Sequence, residues 1–221
     1  MNKNIFLCDF EDYKNGLLII SQSYEEEILD EFCLNDFQSK EMYLSDLYQF
    51  LLNLNIQKNI IDIYKRNSSS PFLEFSLDLD DSQKLTDSKT TTEKLVDFDK
   101  LIFYSAKFII LRNNYDILIY YWKLIVNFLI KKQIIDQTTN NNNNNDQKQF
   151  LEYELNVSHL SKIINLLHLN SKIDQLQDST GTSTSSSVII DMISTQTNNN
   201  NPTINFYDFA LILGKLQLIS C

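Results

Sequence analysis

The amino-acid sequence nearly repeats itself, and this limits the fold more than any other feature. Leu44-Ser45-Asp46-Leu47 aligns with Val157-Ser158-His159-Leu160, and the match runs on to Leu54 over Leu167. Ile60-Ile61-Asp62-Ile63-Tyr64 then aligns with Ile189-Ile190-Asp191-Met192-Ile193, and Val96-Asp97-Phe98-Asp99-Lys100-Leu101 with Ile204-Asn205-Phe206-Tyr207-Asp208-Phe209. The blocks keep their order but not their spacers. Two copies of one supersecondary unit follow, each needing its neighbour to complete a core.

Helices suit those copies best. Only three Gly and two Pro occur in 221 residues, too few for the tight turns of sandwiches, barrels or doubly wound sheets. A hydrophobic fraction of 43%, with 14 Phe and 11 Tyr, is enough for a packed core. Ser23-Tyr24-Glu25-Glu26 reads as a capping box ahead of Ile28, Leu29 and Phe32. Phe206, Phe209, Leu213 and Leu216 share one face of an amphipathic helix. In the most apolar window, Ile117 to Ile130, the residues Tyr121, Trp122, Ile125, Phe128 and Leu129 recur at helical spacing and predict a buried helix around the only Trp. Lys123 interrupts that window and Lys131 and Lys132 flank it, so it falls short of the roughly 20 apolar residues of a membrane span.

Three low-complexity tracts separate the periodic segments: Ser/Asp/Thr/Lys from about 67 to 94, the Asn run 140–145, and Ser/Thr from about 178 to 187. Their composition predicts surface insertions that bury no apolar area, tolerated because loop closure costs little more as a loop lengthens.

Charge narrows the partners. Nineteen Lys and Arg against 29 Asp and Glu leave a net charge of −10, which disfavours nucleic acid and suits a basic amphipathic helix. Cys8, Cys33 and Cys221 form an odd set without CxxC, and the stretch Met1 to Asp9 loses its apolar character too early for a signal peptide, so a reduced, cytoplasmic setting is expected. No catalytic constellation stands out. His159 and His168 lack the i, i+4 spacing of a helical metal pair, and there is no Gly-rich phosphate loop, nucleophile elbow or Cys close to a His, so no enzyme activity is expected.

The last block carries a resemblance. Met192-Ile193, the twelve residues Thr197 to Asp208 with Ile204 in eighth place, and Phe209 directly after them resemble the final calcium loop of the calmodulin-like EF-hand superfamily, the calmodulin, centrin and myosin light chain type. Asp62-Ile63-Tyr64, Val96 and Leu101 repeat the pattern weakly. The resemblance implies an all-α fold of two lobes, each a pair of helix-loop-helix units with a short β contact between its loops, at Met42 and Val96 and at Leu155 and Ile204. It also implies an N-terminal segment 1–22, a first lobe 23–112 with an insertion at about 67–94, and a second lobe 113–221 with insertions at about 137–149 and 171–187.

Calcium in such a loop takes oxygen ligands from positions 1, 3, 5, 7, 9 and 12, with a glycine at 6. The fourth loop offers Thr197, Asn199, Asn201, the Thr203 carbonyl, Asn205 and Asp208, of which one is charged, and position 6 is Pro202. Position 12 of the other loops holds Asp46, Lys100 and His159, and Phe37 stands where a third-position oxygen belongs. No cofactor is therefore expected, with weak calcium at the fourth loop at most. What the resemblance implies is a light-chain-like protein that holds a basic amphipathic target helix largely independently of calcium, in a groove lined by Phe103, Phe206, Phe209 and Leu213. With only three Met, a dedicated partner fits better than a promiscuous groove. The alternative is a calcium sensor acting through the fourth loop, 197–208.

Overall fold

The computed structural model describes residues 4–35, 41–67, 72–77, 94–132, 150–156, 158–159, 162–163 and 203–219. They are mostly helical with one two-stranded sheet, in keeping with an all-α class. The chain divides into two compact units, Met1–Tyr115 with Leu213–Cys221, and Asp116–Ile212. Residues 4–20, within the N-terminal segment 1–22 that the resemblance implies, belong to the first unit.

The first unit contains α1 (Phe10–Lys14), α2 (Gln22–Leu34), α3 (Leu47–Asn53), α4 (Lys58–Asn67) and α5 (Phe98–Asn113). Apolar residues surround α5 on every side, the mark of a central helix, and Leu101, Phe103, Ala106, Ile109 and Leu111 are fully buried along it. α2 packs against it, and Ile28 of α2, Phe50 and Leu51 of α3 and Ile60 and Ile61 of α4 are buried in the same unit; each such side chain contributes about 1.5–3 kcal/mol. Arg112 of α5 forms an ion pair with Glu27 of α2 and donates to the Leu54 carbonyl at 2.7 Å, tying α2 to the end of α3.

The second unit holds α6 (Tyr115–Lys131), whose first residue lies in the first unit, together with β1 (Leu155–Asn156), β2 (Thr203–Ile204) and most of α7 (Phe206–Lys215). Trp122 is its centre: fully buried, it donates Nε1–H to the Phe150 carbonyl at 2.6 Å and meets the rings of Phe206 and Phe209 at 6.0 and 5.3 Å. The end of α7 belongs to the first unit, where Gly214 lies so close to the Phe6 ring that a Cβ would fall 2.5 Å from it.

Four expectations need correction. The helix at Ser23 begins earlier, with Ser21 as N-cap; Ser21 makes no side-chain cap bond, and its carbonyl accepts from Tyr24 and Glu25 while its hydroxyl pairs with that of Ser23. The buried face of α6 is Leu118, Ile119, Trp122, Val126 and Leu129, rotated from the expected one, so Tyr121 is exposed and Ile125 and Phe128 are half-buried. Leu216 follows the end of α7 and is exposed. The tract 67–94 does bury apolar surface: Phe72 and Phe75, around a 3-10 turn at Leu73–Phe75, lie in the core against Tyr64 and Tyr104. Phe72 holds φ at +66°, a conformation costly for a bulky residue and kept only where burial over-determines it. The insertions 137–149 and 171–187 lie outside the described residues.

Candidate functional site

The repeated blocks become repeated geometry. Four times the chain passes from an extended residue into a helical turn, and three times a side chain three residues on closes the junction by accepting from the extended residue's N–H. At the first, Asp46 Oδ2 accepts from the Tyr43 N–H at 3.1 Å. The shift that lays Leu44 on Val157 lays Tyr43 on Asn156 and Asp46 on His159, and there His159 Nδ1 accepts from the Asn156 N–H at 3.3 Å, while Asn156 Oδ1 accepts from the His159 N–H at 2.9 Å. At the fourth, Asp208 Oδ2 accepts from the Asn205 N–H at 3.2 Å and Asn205 Oδ1 from the Asp208 N–H at 3.0 Å. The last two have the reciprocal bonds of a capping box, whereas at the first the Asp46 N–H goes to the Tyr43 carbonyl and the carboxylate supplies one half alone.

The second junction departs from the others. Asp97 Oδ1 accepts from the Lys100 N–H at 3.1 Å as expected, but the Asp97 N–H donates to the Phe75 carbonyl at 2.8 Å, and Lys100 Nζ donates to the Ser76 carbonyl at 2.9 Å. Lys100 is buried and its cation is answered by backbone oxygen.

Junctions pair two by two. Val96 N–H donates to the Met42 carbonyl and Leu44 N–H to the Lys94 carbonyl, both at 2.9 Å, around an antiparallel bridge from Tyr43 to Leu95. In the second unit β1 and β2 run antiparallel with Leu155 opposite Ile204. In the first unit residues 75–77 add a further strand-like partner, through Leu77 N–H to the Leu95 carbonyl and a bridge from Ser76 to Val96.

The titrating groups sit inside these clasps. Burial, helped by nearby Glu154 and opposed by the Asn205 amide, pushes Asp208 up to about 6. Burial and Lys162 hold His159 below the usual histidine value, which keeps Nδ1 free to accept. As a calcium donor set the described residues do not fit. Asp208 Oδ2 is taken by the Asn205 backbone and side-chain amides, Lys100 is a cation, and Asp46 and His159 are engaged in caps. Among the described residues no group of three or more His, Cys, Asp or Glu converges. Thr197, Asn199, Asn201, Pro202, Phe37 and His168 lie outside the described residues; Thr203 is half-buried in β2.

Phe103 and Leu213 belong to the first unit, Phe206 and Phe209 to the second. Phe103, Phe206 and Leu213 are buried and Phe209 is half-buried. Three other features of the surface stand out. A cleft of about 400 Å³ beside α2 is lined by Glu26, Glu27, Asp30 and Glu31 and carries exposed Leu34. An apolar cavity of about 190 Å³ beside the first strand pair is lined by Phe32, Met42, Leu77, Leu95 and Phe98. On α6, Ile117, Tyr120, Tyr121 and Leu124 form an exposed apolar stripe. The i, i+3, i+4, i+7 spacing of that stripe was present in the sequence, and it was hidden because the helix has apolar residues on both faces.

No family model, no curated protein and no solved structure matches the chain.

Proposed function

We propose that the chain is a light-chain-like protein of the EF-hand type that holds a basic amphipathic helix without needing calcium. The observation that carries this reading is the set of four strand-to-helix junctions joined in two antiparallel pairs, at Met42 and Val96 and at Leu155 and Ile204. Paired loops of this kind are usually held by metal, and here the position-12 side chains support closure by hydrogen bonds instead. The acidic α2 cleft with Leu34, on a chain of net charge −10, suits a helix with lysines or arginines on one face and leucines on the other.

Isothermal titration with a synthetic Lys/Leu amphipathic helix, in calcium and in chelator, tests this reading. Saturable one-to-one binding with the same affinity in both buffers is expected. Absence of binding, or binding in calcium alone, overturns it, and the second outcome favours a sensor acting through 197–208.

A further inference from the structure

We propose that the exposed face of α6 pairs with the same face of a second copy of the chain, the two helices running antiparallel with Leu124 at the centre. The helical repeat puts Ile117, Tyr120, Tyr121, Leu124 and Phe128 on one side. The first four stay exposed, Tyr120 at 61% and Leu124 at 54%, and Phe128 is half-buried. A comparison with α5 shows what such a helix requires. α5 is apolar all round, and its own unit buries it nearly all round. α6 buries Leu118, Ile119, Trp122, Val126 and Leu129 and leaves the opposite side apolar and open. A helix apolar on both faces is an interior helix, and for α6 the second cover has to come from another surface.

The charges on this face say what that surface is. The one acid of α6, Asp116, stands exposed at its start, and Lys131 stands exposed at its end. Lys123 lies a quarter-turn from Leu124, with its Nζ 5.9 Å from the Phe150 ring. A basic or an acidic helix therefore meets an opposing charge at one end only, whereas the same face reversed meets one at both. Along the axis Asp116 and Lys131 lie about 12 and 10.5 Å from Leu124, on opposite sides of it. Turned end for end about Leu124, each Lys131 lays its stem over Ile117 of the other copy and its ammonium reaches Asp116 there. Tyr121 then faces Phe128, an aromatic pair, and Tyr120 faces Asn127, a hydroxyl against an exposed amide. Every pair occurs twice, as a two-fold interface demands, and Leu124 meets itself. One helix face is a small interface, and two chains of net charge −10 repel, so the dissociation constant should be on the order of 100 μM.

Sedimentation equilibrium of the full chain, from about 10 to 500 μM, tests this pairing. A monomer–dimer equilibrium is expected. Leu124→Glu brings two carboxylates together at the centre and should weaken the dimer at least about tenfold. Asp116→Lys and Lys131→Glu should each weaken it about threefold or more, and the two together should restore it to within about twofold of wild type, because each copy again offers opposite charges at the two ends. These side chains are exposed, so the packing around Trp122 is left intact in every variant. A chain that stays monomeric throughout overturns the proposal, as does a dimer that survives Leu124→Glu. Failure of the charge exchange to restore association overturns the antiparallel arrangement. A monomer that floats with neutral phosphatidylcholine vesicles, and ceases to as Leu124→Glu, would give the face to a lipid surface and overturn the second copy as its occupant.

Discussion

At the third residue of the helix that leaves each second strand, the first unit places Lys100 and the second Asp208. These positions align in the repeat, yet they carry opposite charges, and the difference follows from one amide. In the first unit, residues 75–77 lie along the edge of 95–97, so the Asp97 N–H is satisfied by the Phe75 carbonyl and the next side chain is free to donate to Ser76. In the second unit the corresponding Asn205 N–H donates to the Asp208 carboxylate. The same holds at Tyr43 and Asn156, whose amides go to Asp46 and His159. Where a strand delivers a carbonyl, the third helical residue can be a donor. Where the junction must close itself, that residue is an acceptor.

The largest effects should come from the rings behind each junction. Phe75→Ala and Phe206→Ala each remove a fully buried ring and should each cost about 3–5 kcal/mol in chemical denaturation. Phe209→Ala, half-buried beside Trp122, should cost less. If Phe75→Ala costs under about 1 kcal/mol, the added strand is an accessory to the first unit and the comparison breaks.

Acid titration should separate the two charges next. Asp208 is raised by burial from an ordinary value of 3.8 to about 6 in the folded chain, so between those values the folded state binds more protons than the unfolded. Its contribution is present at low pH and is lost as pH rises through about 6, a fall of up to about 3 kcal/mol. Subtracting the pH profile of Asp208→Asn from that of the wild type should isolate this slope, and a flat difference between pH 4 and 7 would remove Asp208 from the account. His159, held below its ordinary value, acts with the opposite sign: its contribution is complete above the ordinary histidine range and is lost on acidification.

A smaller effect is expected at Lys100. Lys100→Met leaves the Ser76 carbonyl without its ammonium donor and should cost about 1–3 kcal/mol, with the Asp208 slope unchanged because the two sites share no partner. The smallest effect should be that of calcium. With position-12 side chains engaged in hydrogen bonds, calcium and chelator should give melting temperatures within about 1 °C of each other, and a rise of several degrees in calcium would falsify the closure of these junctions by hydrogen bonds alone.

Much of this was legible in the residues. The repeat located all four junctions, since its aligned blocks Leu44–Leu47, Val157–Leu160, Val96–Leu101 and Ile204–Phe209 each lie at one of them. The helical class followed from the scarcity of Gly and Pro. The acceptor role of His159 was not legible: its tautomer is selected by the Asn156 amide, and in sequence the residue resembled an ordinary packing histidine. Nor was the second junction, because the partner that makes Lys100 tolerable arrives from inside a tract whose Ser, Asp and Thr mask two core phenylalanines.

By itself, then, the sequence determined what neighbouring residues settle between them: the helical class and the order of the repeated junctions, with the apolar positions Met42, Val96, Leu155 and Ile204 at the strand contacts implied by the resemblance. Tertiary structure decided what depends on distant partners. It chose which face of α6 to bury, because that helix is apolar on two sides and only packing around Trp122 discriminates between them. It also seated Phe10 and Tyr13 on Phe103, an encounter between residues some ninety positions apart that no local pattern encodes, because the free energy of such a contact lies in the shape and desolvation of surfaces that exist only after folding.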